Sequence, residues 1–263
     1  MLATLENNDC SDATMTAFTL AAAQSISIPG DVPANIERHL ALMRTAAEHG
    51  VQLLVFPELS LTGYEPSLAA ALAIAPQDAV LAPLRELART LQLTAVVGMP
   101  VRLAPEDGVL IGALVLGADG SLAIYTKQHL HAGEEVAFVP GQGGATLELG
   151  RDRVALAVCA DFSHASHPRA AADSGATVYA AGVLISEGGY ATDSALLQGY
   201  AAEHGLVVLM ANHGGPSGGW VCAGRSAIWA ADGGLLVAAP GVGEALVIAR
   251  RDDGRWAGNV VVL

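Results

Sequence analysis

Residues 18–56 read FTLAAAQSISIPGDVPANIERHLALMRTAAEHGVQLLVF and contain two short apolar runs separated by a helical pattern. The first run, 18–24, is typical of a buried strand that ends before a Pro-Gly turn. Asp31 is a suitable N-cap for the helix and Gly50 a suitable stop. Apolar residues recur between them at helical spacing: Ile36, Leu40, Met43 and Ala47. Because the second run, 51–56, is also continuously apolar, the stretch predicts a β-α-β unit in a sheet covered on both faces.

The later part of the sequence continues the alternation of strands and helices. Helices are predicted over about 78–91, 167–174 and 191–204. Predicted strands are the apolar runs 94–99, 154–159, 176–185 and 206–212, with two hairpins in 111–126 and 225–239. The first hairpin turns at Asp119-Gly120, a pair typical of antiparallel connections, so the sheet is mixed. This order favours a layered α/β domain over a purely parallel sheet.

The composition limits the class of protein. The 263 residues are 52% hydrophobic and 15% charged, so we expect one domain over 16–263, after a polar, flexible leader, 1–15, that contains Cys10. The formal net charge of -13 repels phosphate backbones and anionic lipids, so neither nucleic acid nor a membrane is an expected partner. Without an apolar bilayer-length stretch or a secretory signal, the expected location is cytoplasmic. Three cysteines without paired spacing do not indicate disulfides.

Three predicted strands are each followed or ended by a chemically reactive side chain. Glu58 follows the strand 51–56, Lys127 follows the first hairpin, and Cys159 ends the run VALAVC. Ligands of open α/β sheets bind beyond the carboxyl ends of strands. Taken alone, Cys159 is most simply a small buried core residue. A thiol becomes a good nucleophile when a cation or a base activates it, and Lys127 and Glu58 would supply both.

Histidines near these strand ends raise two alternatives. The first is a metal site, for which the nearby candidates are His129, His131, His164 and His167. Zinc sites need three or four ligands, and His164 with His167 beside Cys159 lacks a second well-spaced pair, so we expect no metal. The second alternative is a Cys-His dyad in which His164 or His167 is the base instead of Glu58.

Three sequence blocks around the strand ends resemble the signature blocks of the nitrilase superfamily of carbon-nitrogen hydrolases. They are FPELSLTGY around Glu58, YTKQHL followed by EEVAFVPG around Lys127, and VALAVCAD around Cys159. The likeness extends over about residues 16–250. It implies a four-layer α-β-β-α sandwich with mixed sheets. It also implies a catalytic triad of Glu58 as general base, Lys127 as cation and Cys159 as nucleophile.

The resemblance implies further parts of the site. A second carboxylate falls on Glu134, with the adjacent Glu135 as the alternative. Asp161 would either cap the helix that follows it or contact substrate. The expected substrate contacts are Tyr64, the backbone of Ala160, His164 and Asn212. No cofactor is expected, and the family likeness implies a homodimer or larger homo-oligomer.

The implied reaction is hydrolysis of a non-peptide carbon-nitrogen bond. A small amide or N-carbamoyl compound would form a thioester with Cys159 and give a carboxylic acid with ammonia or an amine. A nitrile hydrolase is the alternative within the family, although Ala160-Asp161 stands where nitrilases usually have Trp-Glu. A non-catalytic binding protein on the same scaffold is the alternative outside enzymes. The segment 162–168, FSHASHP, departs from the aromatic-Pro-Glu run of many members and leaves the substrate open.

Overall fold

The computed structural model describes residues 17–263 and places thirteen strands and five α-helices within them. The strands are β1 (Phe18–Gln24), β2 (Leu53–Val55), β3 (Thr94–Val101), β4 (Leu110–Leu116), β5 (Leu122–Thr126), β6 (Leu147–Leu149), β7 (Asp152–Val158), β8 (Val178–Val183), β9 (Val207–Asn212), β10 (Ala227–Trp229), β11 (Leu235–Ala238), β12 (Ala245–Asp252) and β13 (Arg255–Val262). The helices are α1 (Val32–Glu48), α2 (Ala69–Leu72), α3 (Ala82–Leu91), α4 (Ser166–Asp173) and α5 (Tyr190–His204). Short 3-10 turns lie at Pro66–Leu68, Ala79–Leu81, Glu134–Val136 and Cys159–Ser163.

The strands form two mixed sheets. The first has the order β13-β12-β1-β2-β3-β4-β5, and the second has the order β11-β10-β9-β8-β7-β6. Strands β1, β2 and β3 pair in parallel, as do β7, β8 and β9. The strands outside these parallel centres pair antiparallel. The prediction of mixed sheets is therefore confirmed.

Three apolar clusters separate four layers. The central cluster lies between the sheets and includes Val55 of the first and Leu209 of the second. A second cluster joins the first sheet to α1 and α3, and a third joins the second sheet to α4 and α5 around Leu197. Within β1, Leu20 belongs to the central cluster and Ala21 to the second, because successive strand side chains point to opposite faces. The four-layer α-β-β-α sandwich is confirmed.

The opening β-α-β unit forms as its sequence predicts. Asp31 caps α1 by accepting a hydrogen bond from Ala34 N at 3.1 Å. After the helix, Gly50 has a φ of 68°, a conformation that favours glycine. Strand β2 is shorter than the predicted run 51–56. Phe56 N still donates to Val96 O of β3 at 2.9 Å, but the following Pro57 has no N–H to continue the pairing.

One hairpin was missed by the sequence interpretation, which ended at 225–239. Strand β12 pairs antiparallel with β1 and with β13, so this hairpin completes the first sheet. Arg250 and Arg251 interrupt the apolar run of β12, and β13 is largely exposed. The sequence pair Asp253-Gly254 is the feature that indicates this hairpin, because Asp-Gly is typical of two-residue turns. Both residues have the positive φ that such a turn requires.

The predicted leader, residues 1–15 with Cys10, lies outside the described residues. Between residues 17 and 263, no helix combines the length and apolar character that crossing a bilayer requires. The domain boundaries, the cytoplasmic location and the homo-oligomeric state stay predictions.

Two glycines allow the loop after β2 to lie between the sheets. A Cβ on Gly98 of β3 would lie 2.3 Å from Leu59 N, and one on Gly182 of β8 would lie 2.6 Å from Phe56 O. Gly98 N also donates to Ser60 Oγ at 3.1 Å. The loop that carries Glu58 is therefore held against one strand of each sheet.

We expect Gly98→Ala to lower the free energy of unfolding by about 1–3 kcal/mol, because the added methyl group overlaps the backbone of the Glu58 loop. Urea denaturation measures the change. The control is Gly199→Ala in α5, where an added Cβ meets nothing within 4 Å. That variant should gain about 0.5–1 kcal/mol from helix propensity. Equal midpoints for the two variants would contradict the close contact.

Candidate active site

The chain segments that follow β2, β5 and β7 bring Glu58, Lys127 and Cys159 together. Lys127 Nζ lies 2.7 Å from Glu58 Oε1, and both side chains are buried. The Cys159 thiol interacts with the same Glu58 carboxyl group. Glu58 and Cys159 also border one cavity. The three side chains that the sequence places at strand ends thus form a single cluster.

Glu134 is the second carboxylate of the cluster. Its Oε1 accepts hydrogen bonds from Lys127 Nζ at 2.8 Å and from the Tyr64 hydroxyl at 2.8 Å. Its Oε2 accepts from the backbone N–H of His131 at 2.8 Å. The neighbouring Glu135 is exposed and accepts a hydrogen bond from Gly133 N instead. The structure therefore brings Glu134, and not Glu135, to Lys127.

Burial and charge oppose each other at this cluster. Burial raises the pKa of Glu58 to about 7; Lys127 acts in the opposite direction, and the negative charge of Glu134 adds to the rise. Burial alone would lower the pKa of Lys127, but its interactions with Glu58, Cys159 and Glu134 outweigh burial and hold that pKa above its ordinary value. Lys127 is therefore a permanent cation, whereas Glu58 is poised to gain or lose a proton near neutral pH.

Cys159 lies at a sharp turn between β7 and the 3-10 turn Cys159–Ser163. Its φ is 43°, a left-handed conformation that is uncommon outside glycine. Its Sγ lies 3.6 Å from the carbonyl oxygen of Leu184. Burial, and next the charge of Glu58, raise the pKa of the thiol well above its ordinary value. The thiol is thus protonated at neutral pH, and it needs a proton acceptor at the moment it attacks.

Asp161 joins the nucleophile turn to the segment after Lys127. Its carboxylate is fully buried and accepts backbone hydrogen bonds from Val158, Gln128 and His129 at 2.9–3.0 Å. It also accepts from the Tyr125 hydroxyl at 2.7 Å. Neither role left open by the sequence matches this position: α4 begins after Ala165 without a side-chain cap, and Asp161 does not border the cavity but accepts from Val158 N at the start of the 3-10 turn Cys159–Ser163.

The cavity above the cluster has a volume of about 260 Å³. Tyr64 and Ala160 lie on its wall, as the sequence predicts for substrate contacts. The complete lining consists of Glu58, Tyr64, His131, Glu134, Cys159, Ala160, Phe162, Ser163, Leu184, Ser186, Gly189, Asp193 and Trp220. Carboxylates and the thiol thus share this space with aromatic and small side chains.

Two predicted substrate contacts lie elsewhere, and both predictions need correction. His164 is exposed and stacks on His129 with ring centroids 3.9 Å apart, outside the cavity lining. Asn212 is fully buried, where its side chain bonds to the backbone of Ile185 and Gly224. Nearness in sequence to Cys159 did not place His164 in the cavity, because His164 lies just after the end of the 3-10 turn, whose last residue, Ser163, still lines the cavity.

The histidines are engaged in other interactions. Nε2 of His167 lies 2.8 Å from the Tyr125 hydroxyl, and its Nδ1 lies 2.9 Å from the Tyr179 hydroxyl. The groups that interact electrostatically with Cys159 are Glu58, Lys127 and Glu134, with no histidine among the causes of its pKa shift. This arrangement favours Glu58 over a histidine as the base. Within residues 17–263, no group of three or more His, Cys, Asp or Glu side chains is arranged to hold a metal ion.

Sequence reasoning missed one side of the cavity. Leu184, Ser186, Gly189 and Asp193 line it, and all four follow β8 along the chain. The rule that ligands bind beyond the carboxyl ends of parallel strands applies to β8 as it does to β7. Applied to every predicted strand, that rule would have identified this segment.

Comparison with known proteins agrees with the resemblance that the sequence carries. The family model "Carbon-nitrogen hydrolase" matches residues 19–258. The chain therefore belongs to the carbon-nitrogen hydrolase family, as the sequence resemblance predicted.

Individual relatives refine the comparison. An amidase of the nitrilase superfamily from Nesterenkonia sp. AN1, solved as a mutant in complex with butyramide, is 31% identical, with a TM-score of 0.82 over 90% of this chain and 92% of that chain. A nitrilase from Pyrococcus abyssi is 32% identical over 154 residues, 56% of this chain and 57% of that protein. A glutamine-dependent NAD(+) synthetase from Thermotoga maritima is 27% identical over 156 residues, 57% of this chain and 27% of that protein. The match therefore spans little more than half of the nitrilase and about a quarter of the synthetase.

We expect Asp161→Asn to lower the free energy of unfolding by about 1–3 kcal/mol, since the amide NH₂ would face a backbone N–H in either orientation. Differential scanning calorimetry measures the change. Asp173→Asn is the control, because Asp173 is exposed at the end of α4. That substitution should change stability by less than about 0.5 kcal/mol. If Asp161→Asn unfolded at the same temperature as the wild-type protein, these backbone contacts would not depend on a carboxylate.

Proposed function

We propose that the chain is an amidase that hydrolyses small aliphatic amides through a thioester on Cys159. One observation carries this proposal: Cys159 and Glu58 border a cavity of about 260 Å³, and Lys127 is bound to the Glu58 carboxylate beneath it. A nucleophile, a base and a fixed cation are the groups that acyl transfer requires. N-Carbamoyl compounds present the same carbonyl group and are the second substrate class.

The first half-reaction forms the thioester. The Glu58 carboxylate takes the thiol proton as Cys159 Sγ attacks the amide carbonyl carbon. The ammonium group of Lys127 and the backbone N–H of Ala160 stabilise the negative charge on the carbonyl oxygen. The carbon-nitrogen bond then breaks, Glu58 returns the proton to the leaving nitrogen, and ammonia departs.

The second half-reaction restores the enzyme. Glu58, again a carboxylate, takes a proton from water, whose oxygen attacks the thioester carbonyl. The carbon-sulfur bond breaks, the thiol regains its proton from Glu58, and a carboxylic acid is released. A pKa near 7 suits a group that must accept and return a proton in each half-reaction. Glu134 supports this by adding negative charge beside Glu58.

The size of the cavity supports a small substrate. A volume of about 260 Å³ lies below the range of about 300–1,000 Å³ that is usual for drug-sized ligands. The similar Nesterenkonia amidase was solved with butyramide, a four-carbon amide. A short aliphatic amide is therefore the substrate we propose.

Nitrile hydrolysis is a second candidate, favoured by the likeness to the Pyrococcus abyssi nitrilase. It would use the same nucleophile and also form a thioester. The residues after Cys159 argue against it, since Ala160-Asp161 replaces the Trp-Glu pair that is usual in nitrilases. A substrate panel separates the two candidates.

The test is ammonia release from a panel of acetamide, propionamide, butyramide, N-carbamoyl-β-alanine and propionitrile. We expect release from the short amides, an acyl adduct on wild-type protein in quenched intact mass spectra, and neither in Cys159→Ala. Cys222→Ala is the matched control, because Cys222 is a buried free cysteine outside the cavity lining, and it should retain activity. Release from the nitrile alone would favour the second candidate, and no release from any compound would overturn both.

We also expect kcat/KM for butyramide to fall as the pH drops through about 7, because Glu58 must be ionised to accept the thiol proton. Burial raises this pKa by favouring the neutral carboxyl group, so activity is present above about 7 and declines about tenfold per pH unit below it. Glu58→Gln should lower kcat/KM for butyramide by about 10²–10⁴-fold. A rate that stays level from pH 5 to 8, or a fully active Glu58→Gln, would assign the base to another group.

A further inference from the structure

A carboxylate outside the catalytic cluster also lines the cavity. Asp193 lies in the first turn of α5 and is half-buried. In the part of the chain that the structure describes, no hydrogen bond or salt bridge is recorded for its carboxylate. Burial raises the pKa of Asp193, and an electrostatic interaction with His131 opposes the rise. A negative group thus faces the cavity without a bonded partner.

Among the described residues that line the cavity, the one basic side chain that interacts with Asp193 is His131. Among the described lining residues there is neither lysine nor arginine. Lys127, buried beneath the cavity, is already bound to Glu58 and Glu134. Arg225 is the cation packed against α5, where it lies over the Tyr190 ring and pairs with Glu187. The wall formed by α5 is therefore negative.

We propose that Asp193 is a specificity residue that selects short amides whose acyl chain ends in a cationic ammonium group. This inference rests on the proposed amidase function and names its substrate class. Cys159 and Asp193 line the same cavity of about 260 Å³, so a short chain can present its amide to the thiol and its far end to the carboxylate. An ammonium donor satisfies a half-buried carboxylate better than a methyl group does.

Two neighbouring features strengthen this selection. Trp220 also lines the cavity and is 46% exposed, and aromatic rings attract cations. An amide whose chain ends in a carboxylate would meet the charge of Asp193 instead, and no lining lysine or arginine within residues 17–263 would offset the repulsion. We therefore expect the order cationic, then neutral, then anionic.

The test compares three amides that each have five heavy atoms from the amide carbonyl carbon to the far chain end: 4-aminobutanamide, pentanamide and succinamic acid. They end in an ammonium, a methyl and a carboxylate group, respectively. Wild-type protein should show the highest kcat/KM for 4-aminobutanamide. In Asp193→Asn, the ratio of its kcat/KM to that of pentanamide should fall roughly tenfold, which corresponds to about 1.4 kcal/mol. The matched control is Glu203→Gln, which removes the same charge from an exposed position on the same helix and should leave this ratio unchanged.

Binding separates this inference from the proposed function. Calorimetry with Cys159→Ala measures the affinity for each amide without turnover. A preference for 4-aminobutanamide that disappears in Cys159→Ala/Asp193→Asn would support the role of Asp193 even if no hydrolysis were found. Hydrolysis of pentanamide with equal or weaker use of 4-aminobutanamide would overturn the role of Asp193 and leave the amidase function standing. An equal fall of the ratio in Glu203→Gln would also overturn it, because the effect would then be one of net charge.

Discussion

The site depends on one lysine that has been removed entirely from water. Lys127 is 0% exposed, and its ammonium group is held by Glu58 on one side and by Glu134 on the other. An ammonium ion in a protein interior is costly unless oppositely charged groups are close and well aligned. The surrounding chain must therefore deliver two carboxylates to one point, one after β2 and one after β5.

Holding these two carboxylates in place explains contacts that have no chemistry of their own. His213, just after β9 in the second sheet, donates from Nε2 to the backbone oxygen of Glu58 at 2.8 Å. Tyr64 and the backbone of His131 hold Glu134, and Asp161 ties the nucleophile turn to the segment after Lys127. Because these contacts join parts of both sheets, the cluster exists only when the two sheets are packed together.

The sequence predicted the parts of the site that follow from strand periodicity. Continuous apolar runs located the strands, and their ends identified Glu58, Lys127 and Cys159. The prediction failed at His164: Ala160, Phe162 and Ser163 line the cavity, but His164 follows the end of the 3-10 turn, where it stacks on His129 outside the cavity. Asp193 was missed because a single aspartate in a predicted helix does not stand out in sequence. Its role follows from the position of α5 beside the cavity. The hairpin of β12 and β13 was not predicted because arginines interrupt the apolar run of β12 and because β13 is largely exposed.

The pairing of β12 with β1 has a consequence for how the chain is made. β1 lies in the interior of its sheet, between β2 and β12. Its partners in β12 are distant in sequence, since Phe18 pairs with Arg251 and Gln24 with Ala245. On the ribosome, β1 and β2 are synthesised before β12, so the other side of β1 stays an open edge until residues 245–252 have been synthesised. Such long-range pairing slows folding, and an open apolar edge invites pairing with other chains. The nascent chain is therefore exposed to aggregation through this edge of β1 for as long as the synthesis of residues 25–244 takes.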